Sequence, residues 1–247
     1  MAGMSLESRL SAWLVAYLTT EVKLQTRRVR WEPALLKGQL RPGDVVLVEG
    51  HARISQVIMY LTQSSWSHAA LYVGDALLRW GGPAAEAALQ RFGPEAAHLL
   101  VESDLREGVI CVPLDKYEAH NLRVCRPRGL APEALERVLA EVFRHLGVRY
   151  DRRNIFDLAR YLTPFHLLPR RFRRRPLYLG SSSSREIICS ALLAKAFHKA
   201  GFPIEPPVPG GEGRGLVQRH PSYIMPRDFD LSAQFEIVKS YLPALTG

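Results

Sequence analysis

The order of apolar and polar residues along the chain predicts short strands combined with amphipathic helices. Five short apolar runs, bounded by turn residues, have the length and composition of strands: residues 45–48, 68–74, 98–102, 109–113 and 122–126. Few helical segments separate these runs, so we expect antiparallel pairing and not the βαβ order of a parallel sheet. The pattern therefore predicts an α+β fold built on a small antiparallel sheet or half-barrel.

Apolar side chains recur at helical spacing in three other segments, which we predict as helices: residues 54–62, 132–147 and 185–200. The second of these has Pro132 in its first turn and Gly147 at its end, which is the usual placement of these residues in helices. Residues 81–97 are rich in alanine, glycine and proline, and we interpret them as an inserted loop or short helix. The proline- and glycine-rich residues 203–215 predict a loop.

The N-terminal residues 5–18 place leucine, tryptophan and tyrosine side chains on one side of a helix. Such a stripe indicates either a helix that packs against its own domain or a helix that lies on a membrane surface. An Arg-Pro-Gly-Asp turn at 41–44 precedes the first predicted strand. We therefore expect an N-terminal amphipathic helical extension at 1–40 and a main domain at 41–247.

Composition restricts the cellular setting. Among 247 residues, 33 basic and 24 acidic side chains give a net charge of +9, which favours anionic partners. No uninterrupted apolar run reaches the length of about 18 residues that a membrane-spanning helix needs. The three cysteines are too few for a disulfide framework, and none pair at two-residue spacing. Because no A-x-A cleavage site follows the apolar residues 10–18, we predict a cytoplasmic protein, free or attached peripherally to a membrane.

A dense basic cluster, interrupted by one phenylalanine, contains five arginines: Arg170, Arg171, Arg173, Arg174 and Arg175. The cluster fits contact with an anionic membrane surface. It also fits a solvated loop that keeps the protein soluble. No helix-turn-helix, zinc-finger or RNA-recognition pattern accompanies it, so we expect no nucleic-acid partner.

Cys189 lies in the first turns of the predicted helix 185–200, directly after a serine-rich loop. Unpaired backbone N–H groups at a helix N-terminus lower the pKa of a thiol and favour the nucleophilic thiolate. The Cys189 amide is also placed to stabilise an oxyanion. The alternative is a cysteine that packs in the core, as most free cysteines do. Cys111 and Cys125 fall inside predicted strands, and we assign them no chemistry.

Four motifs occur in a defined order along the chain: Gly43-Asp44-Val-Val-Leu, Ser67-His68-Ala-Ala-Leu-Tyr-Val-Gly74, Leu100-Val-Glu102 and Ile188-Cys189-Ser190-Ala-Leu-Leu193. Together they resemble the YiiX/YebB-like branch of the NlpC-type thiol hydrolases, whose papain-like fold is circularly permuted. In that branch the histidine strand precedes the cysteine helix. The resemblance spans residues 42–201, so it implies that 41–247 is a permuted papain-like catalytic domain.

The resemblance implies a role for each matching polar residue. Cys189 is the expected nucleophile and His68 the expected base, which takes the thiol proton and returns it to the leaving group. Glu102 is the expected third member that orients the imidazole, with Asp104 as its substitute. Tyr150 stands in a Gly-x-x-Tyr element and is expected either to bind the oxyanion or to be a core aromatic. No cofactor is expected, and these dispersed residues lack the close ligand pair of a typical zinc site.

The implied activity is cleavage of an amide or ester bond through a thioester. The branch is also similar to lecithin retinol acyltransferase and related lipid-modifying enzymes, and the basic, amphipathic features favour a lipid acyl substrate. A peptidoglycan peptide amidase is one alternative. The other is a catalytically silent module that binds lipids or membranes.

Overall fold

The structure is a computed structural model, and it describes residues 16–22, 31–148, 189–205, 208–209, 216–217 and 219–239. Its α-helices are α1 (Pro33–Gln39), α2 (Arg53–Thr62), α3 (Ala76–Trp80), α4 (Pro83–Phe92), α5 (Pro132–Arg144), α6 (Cys189–Lys199) and α7 (Pro226–Leu231). Short 3₁₀ helices occupy Gly93–Ala97, Leu114–Tyr117 and Pro221–Tyr223. Among these residues no helix is both long and apolar enough to span a membrane.

The strands are β1 (Val45–Val48), β2 (His68–Gly74), β3 (Leu99–Asp104), β4 (Gly108–Pro113), β5 (Leu122–Pro127), β6 (Val208–Pro209), β7 (Leu216–Val217) and β8 (Phe235–Val238). Within the described residues, one six-stranded sheet has the order β4-β3-β2-β1-β5-β8, and every neighbouring pair is antiparallel. Strands β6 and β7 form a separate pair. The sequence-based prediction of an α+β fold around an antiparallel sheet is confirmed.

Both faces of the sheet are covered, which explains why its central strands are apolar without interruption. In β1, Val45 and Leu47 pack in one core cluster, whereas Val46 and Val48 pack in another on the opposite face. Residues of α3, α4, α5 and α6 fill the first cluster. The second cluster encloses side chains from α1 and from the 3₁₀ helix Leu114–Tyr117.

The structure decides one open alternative and adds elements near the C-terminus. Residues 81–97, interpreted as an inserted loop or short helix, contain the short helix α4, which starts at Pro83 and is followed by the 3₁₀ helix Gly93–Ala97. The C-terminal part, which shows only a weak pattern, forms α7 and the edge strand β8. That strand is hard to recognise because Phe235 is buried while Ile237 is 38% exposed, so it lacks a clear alternation.

The described part of the N-terminal region packs against the main domain. Leu18 is fully buried in a small cluster with Ile54 of α2, and a β-bridge joins Glu21 to Ala52. Trp31 is buried in the same core cluster as the residues of α1. For these residues the structure shows self-packing, whereas most of the predicted helix at 5–18 lies outside the described residues.

We expect Leu18→Ala to lower the free energy of unfolding by about 3 kcal/mol, because it removes a fully buried leucine side chain from a small cluster. Leu61→Ala is the matched control, since Leu61 lies on α2 nearby and is 48% exposed. Urea unfolding followed by circular dichroism measures both variants. Equal stabilities for the two variants would show that the Leu18 contact contributes nothing to folding.

Candidate active site

The sheet brings His68 and Glu102 together because they lie on the same face of neighbouring strands. His68 is the first residue of β2, and Glu102 lies near the end of β3. The pairing of Tyr72 with Leu100 places even-numbered residues of both strands on one face. The Nε2 atom of His68 lies 3.3 Å from Oε2 of Glu102. The insertion at 81–97 therefore lengthens the connection between the strands without separating the two side chains.

Helix α6 brings Cys189 to the same imidazole. Cys189 is 6% exposed, and its thiol forms a side-chain hydrogen bond with His68. The backbone N–H groups of Ala69 and Ser190 also donate to the sulfur. Helix α6 packs against β2, and Ser190 Oγ donates to the carbonyl oxygen of Ile224 at 2.7 Å. These contacts hold the thiol beside the first residues of the histidine strand.

The electrostatics of the pair favour its charged form. Burial opposes charge on Cys189, but the positive charge and hydrogen bond of His68, together with the two backbone donors, lower the pKa of the thiol. Burial also opposes charge on His68, but Cys189 and then Glu102 raise the pKa of the imidazole. A lowered thiol pKa and a raised imidazole pKa stabilise a thiolate–imidazolium pair.

Glu102 is a buried carboxylate that accepts hydrogen bonds from three side chains. Its side chain is 1% exposed, whereas that of His68 is 21% exposed. Lys116 Nζ donates to Oε1, and the Tyr117 hydroxyl donates to Oε2, the oxygen that also faces His68. Burial alone would raise the pKa of Glu102, but His68 and Lys116 lower it to about 2. Glu102 is therefore ionised across the physiological range.

Asp104, the substitute third residue, has a different set of contacts. Its Oδ1 accepts the backbone N–H of Arg106 at 2.7 Å and that of Glu107 at 3.0 Å. This pattern stabilises the turn between β3 and β4. Of the two acidic residues it is Glu102 that contacts His68.

The other sequence-based candidates divide into two groups. Tyr150 and the arginine cluster at 170–175 lie outside the described residues, so their expected roles remain predictions. Cys111 and Cys125 lie in β4 and β5, and burial raises the pKa of each thiol to about 12. The three cysteines therefore differ in the direction of their pKa shift. Among the described residues, only the Cys189 thiol has a lowered pKa.

Comparison with known proteins identifies the family. The family model of permuted papain-like amidases of the YaeF/YiiX type, family C92, matches residues 39–161. A crystal structure of the metalloprotein YiiX from Escherichia coli O157:H7 is similar, with a TM-score of 0.51 and 17% identity, and the match covers 83% of this chain and 99% of that chain. The chain belongs to the permuted papain-like YiiX branch. No match was found among curated proteins.

Membership of the YiiX branch assigns the chain, at a coarse level, to a family of amidase-type hydrolases that act on small molecules or peptides. The matched range contains the strands of His68 and Glu102 and ends before Cys189. The placement of Cys189 beside His68 therefore comes from the structure itself. In this YiiX-branch chain the element order is histidine strand first and cysteine helix later, as the permuted fold requires.

Lys116 and Tyr117 are the site residues that the sequence reasoning missed. They are adjacent in the 3₁₀ helix Leu114–Tyr117, which follows β4 and covers the face of the sheet that carries Glu102. No local pattern marks them, because the contact depends on the turn of the chain after Pro113. The sequence shows only a lysine followed by a tyrosine shortly after a predicted strand, which is too common to indicate a site.

Proposed function

We propose that the chain is a cysteine hydrolase that cleaves an amide or ester bond through a thioester on Cys189. The observation that supports the proposal is the continuous contact from Cys189 through His68 to Glu102, in which the thiol pKa is lowered and the imidazole pKa is raised. Such a pair is the usual means by which a buried cysteine becomes a nucleophile at neutral pH. The described Cys111 and Cys125 have the opposite pKa shift.

In the proposed acylation step, the Cys189 thiolate attacks the substrate carbonyl carbon. His68 Nδ1 faces the thiol, because Nε2 faces Glu102, and the imidazolium gives its proton to the leaving amine or alcohol. The carbon–nitrogen or carbon–oxygen bond breaks and a thioester forms. The Cys189 backbone N–H and the Tyr150 hydroxyl are the proposed donors to the oxyanion.

A metal ion has no role in this mechanism. The similar YiiX structure is described as that of a metalloprotein, but the residues around Glu102 in this chain do not fit a cation. Glu102 already accepts from His68, Lys116 and Tyr117, and the Lys116 ammonium directly at Oε1 would repel a neighbouring divalent cation. The described residues also contain no group of three or more potential metal ligands.

The proposed substrate is an amide of a small molecule or peptide, in line with the family. The preference for lipid acyl substrates depends on the arginine cluster at 170–175 and on the helix at 5–18. The cluster and most of that helix lie outside the described residues, so lipid acyl hydrolysis remains a prediction. Transfer of the acyl group to a second substrate in place of water is a further outcome of the same thioester.

The proposal is tested by capturing the thioester. The protein is incubated with libraries of amides, esters and lipids near neutral pH, quenched in acid and mapped by peptide mass spectrometry. We expect an acyl group on Cys189 and none on Cys111 or Cys125. Substrate turnover without acylation of Cys189, or acylation of a different residue, would exclude the proposed mechanism.

We expect Glu102→Gln to reduce turnover by about a hundredfold, because a neutral amide cannot stabilise the imidazolium that forms during proton transfer. The His68 pKa should fall, and the pH below which Cys189 stops reacting with iodoacetamide should rise. Asp104→Asn is the matched control, since its amide oxygen can still accept the two backbone N–H groups of the turn. A wild-type rate in Glu102→Gln, or an equal loss in Asp104→Asn, would contradict the assignment.

A further inference from the structure

The Lys116 ammonium provides the nearest positive charge to Glu102 apart from His68 among the described residues. Lys116 contacts Oε1 of Glu102, while His68 faces Oε2, so the two positive groups approach opposite oxygens of one carboxylate. The Tyr117 hydroxyl donates to Oε2 of Glu102, the same oxygen that His68 faces. The Lys116 ammonium lies 5.3 Å from the centre of the Tyr117 ring. Two adjacent residues of one 3₁₀ helix thus contact both oxygens of the carboxylate.

The charges in the site alternate along this line of contacts. In the charged form of the Cys189–His68 pair, which the lowered thiol pKa and the raised imidazole pKa favour, they are a thiolate at Cys189, an imidazolium at His68, a carboxylate at Glu102 and an ammonium at Lys116. A buried charge without a partner is costly, so the Glu102 carboxylate, whose side chain is 1% exposed, depends on its positive neighbours. The Lys116 side chain is 38% exposed, so solvent also stabilises its ammonium. Without Lys116, the only positive charge in this line would be that of His68.

Acylation changes this balance. When Cys189 becomes a thioester it loses its negative charge, and the leaving group has taken the His68 proton. In the second step His68 must be neutral, so that Nδ1 can accept a proton from the attacking water. The water oxygen then bonds to the carbonyl carbon, the carbon–sulfur bond breaks, and the proton on His68 returns to Cys189 as the carboxylic acid product leaves. A buried carboxylate with no other counter-charge would instead hold the proton on His68.

We propose that Lys116 is a positioning residue that supplies the counter-charge of Glu102 and so allows His68 to be neutral when water attacks the thioester. Tyr117 holds the shared oxygen in place. This proposal rests on the proposed function, because it assigns His68 the role of base. Lys116 itself does not touch the reacting atoms.

The groups around His68 come from three elements. Cys189 approaches from α6 and Glu102 from β3, while Lys116 and Tyr117 belong to the 3₁₀ helix Leu114–Tyr117. Asp104 is engaged with the backbone of its turn. The Tyr117 hydroxyl has a pKa well above its usual range because of burial and the Glu102 charge, so it stays neutral. Lys116 is therefore the group whose removal changes the charge next to Glu102.

The test measures the titration of His68 by NMR in a Cys189→Ala background, which has no charge at the sulfur position and so represents the acyl-enzyme. The His68 signal is assigned by comparison with His68→Gln. We expect Lys116→Met to raise the titration midpoint by about one pH unit, a tenfold gain in proton affinity, because the carboxylate then pairs with the imidazolium alone. Lys116→Arg, which keeps the charge, should restore the midpoint.

Lys199→Met is the matched control. Lys199 Nζ lies 2.6 Å from Oε1 of Glu141, whose side chain is 4% exposed, so this variant also removes a lysine from a buried carboxylate. It lies ten residues after Cys189 on α6, about 15 Å along the helix. We expect it to leave the His68 midpoint unchanged. If Lys116→Met does not fold, Lys116→Gln removes the charge while it retains a hydrogen-bond donor.

An unchanged or lower His68 midpoint in the folded Lys116 variants would overturn the proposal. The titration midpoint does not depend on turnover, so it tests the role of Lys116 separately from the proposed hydrolase function. Failure of the proposed function would appear as a wild-type protein in which Cys189 is never acylated, whatever the titration shows. In the wild-type background the acid limb of kcat should move to higher pH in Lys116→Met by a similar amount.

Discussion

Replacement of Cys189 by alanine is expected to reduce turnover of any amide or ester substrate by at least about a thousandfold, because it removes the atom that bonds to the substrate carbonyl. The fold should survive, since alanine is smaller than cysteine and the neighbouring side chains of α6 remain buried. The variant should lose the acyl adduct and keep substrate binding. Initial rates and a thermal melt measured on the same preparation separate loss of chemistry from loss of structure.

Cys111→Ala and Cys125→Ala are the controls for this prediction. Both thiols lie in the sheet, and burial raises the pKa of each to about 12. We expect both variants to keep rates within a few-fold of the wild type, with some loss of stability from the cavities. A Cys189→Ala variant that retains most of the wild-type rate would end the thiol-hydrolase proposal.

Replacement of His68 by alanine is expected to suppress alkylation of Cys189 at mildly acidic pH by at least about a hundredfold. His68 is the first group that lowers the Cys189 pKa against the effect of burial, so without it the thiol pKa should rise above the free-thiol value of about 8.5. A thiol with that pKa is about 1% ionised at a pH two units lower. The wild-type thiolate should by contrast persist as pH falls, until the imidazolium pair is lost.

The measurement is the rate of iodoacetamide adduct formation at each cysteine, followed by peptide mass spectrometry over a range of pH. Cys111 and Cys125 act as internal references in the same sample, because His68 is not among the groups that shift their pKa. We expect the Cys189 midpoint to move upward in His68→Ala while the references stay slow. If the Cys189 midpoint is the same in both proteins, His68 is not the partner of the thiol.

The local patterns of the sequence determined a large part of this protein. The runs at 45–48 and 68–74 became β1 and β2 because apolar β-branched segments of that length suit a sheet covered on both faces. The amphipathic helix from Pro132 was equally clear from its period. The motif around His68, and that around Cys189, predicted the two residues that the structure places in contact.

Tertiary structure distinguished the two acidic candidates and set the environment of the one that contacts His68. Glu102 and Asp104 have the same parity on β3, so the alternation of side chains does not separate them. Their side-chain contacts separate them, since Glu102 lies 3.3 Å from Nε2 of His68 while the backbone of the turn engages Asp104. Lys116 reaches Glu102 only because the chain turns back over the sheet after β4.

The packing partners of amphipathic segments were likewise decided by the tertiary structure. The apolar stripe that contains Leu18 is compatible with a membrane or a protein surface, and burial against Ile54 settles the matter for Leu18. Strand β8 joins the sheet through backbone hydrogen bonds to β5, which any residue can supply. The sequence shows at which period apolar side chains recur, and this period predicts the type of each element. The partners, the register and the charges that meet across the sheet depend on contacts between residues far apart in the chain.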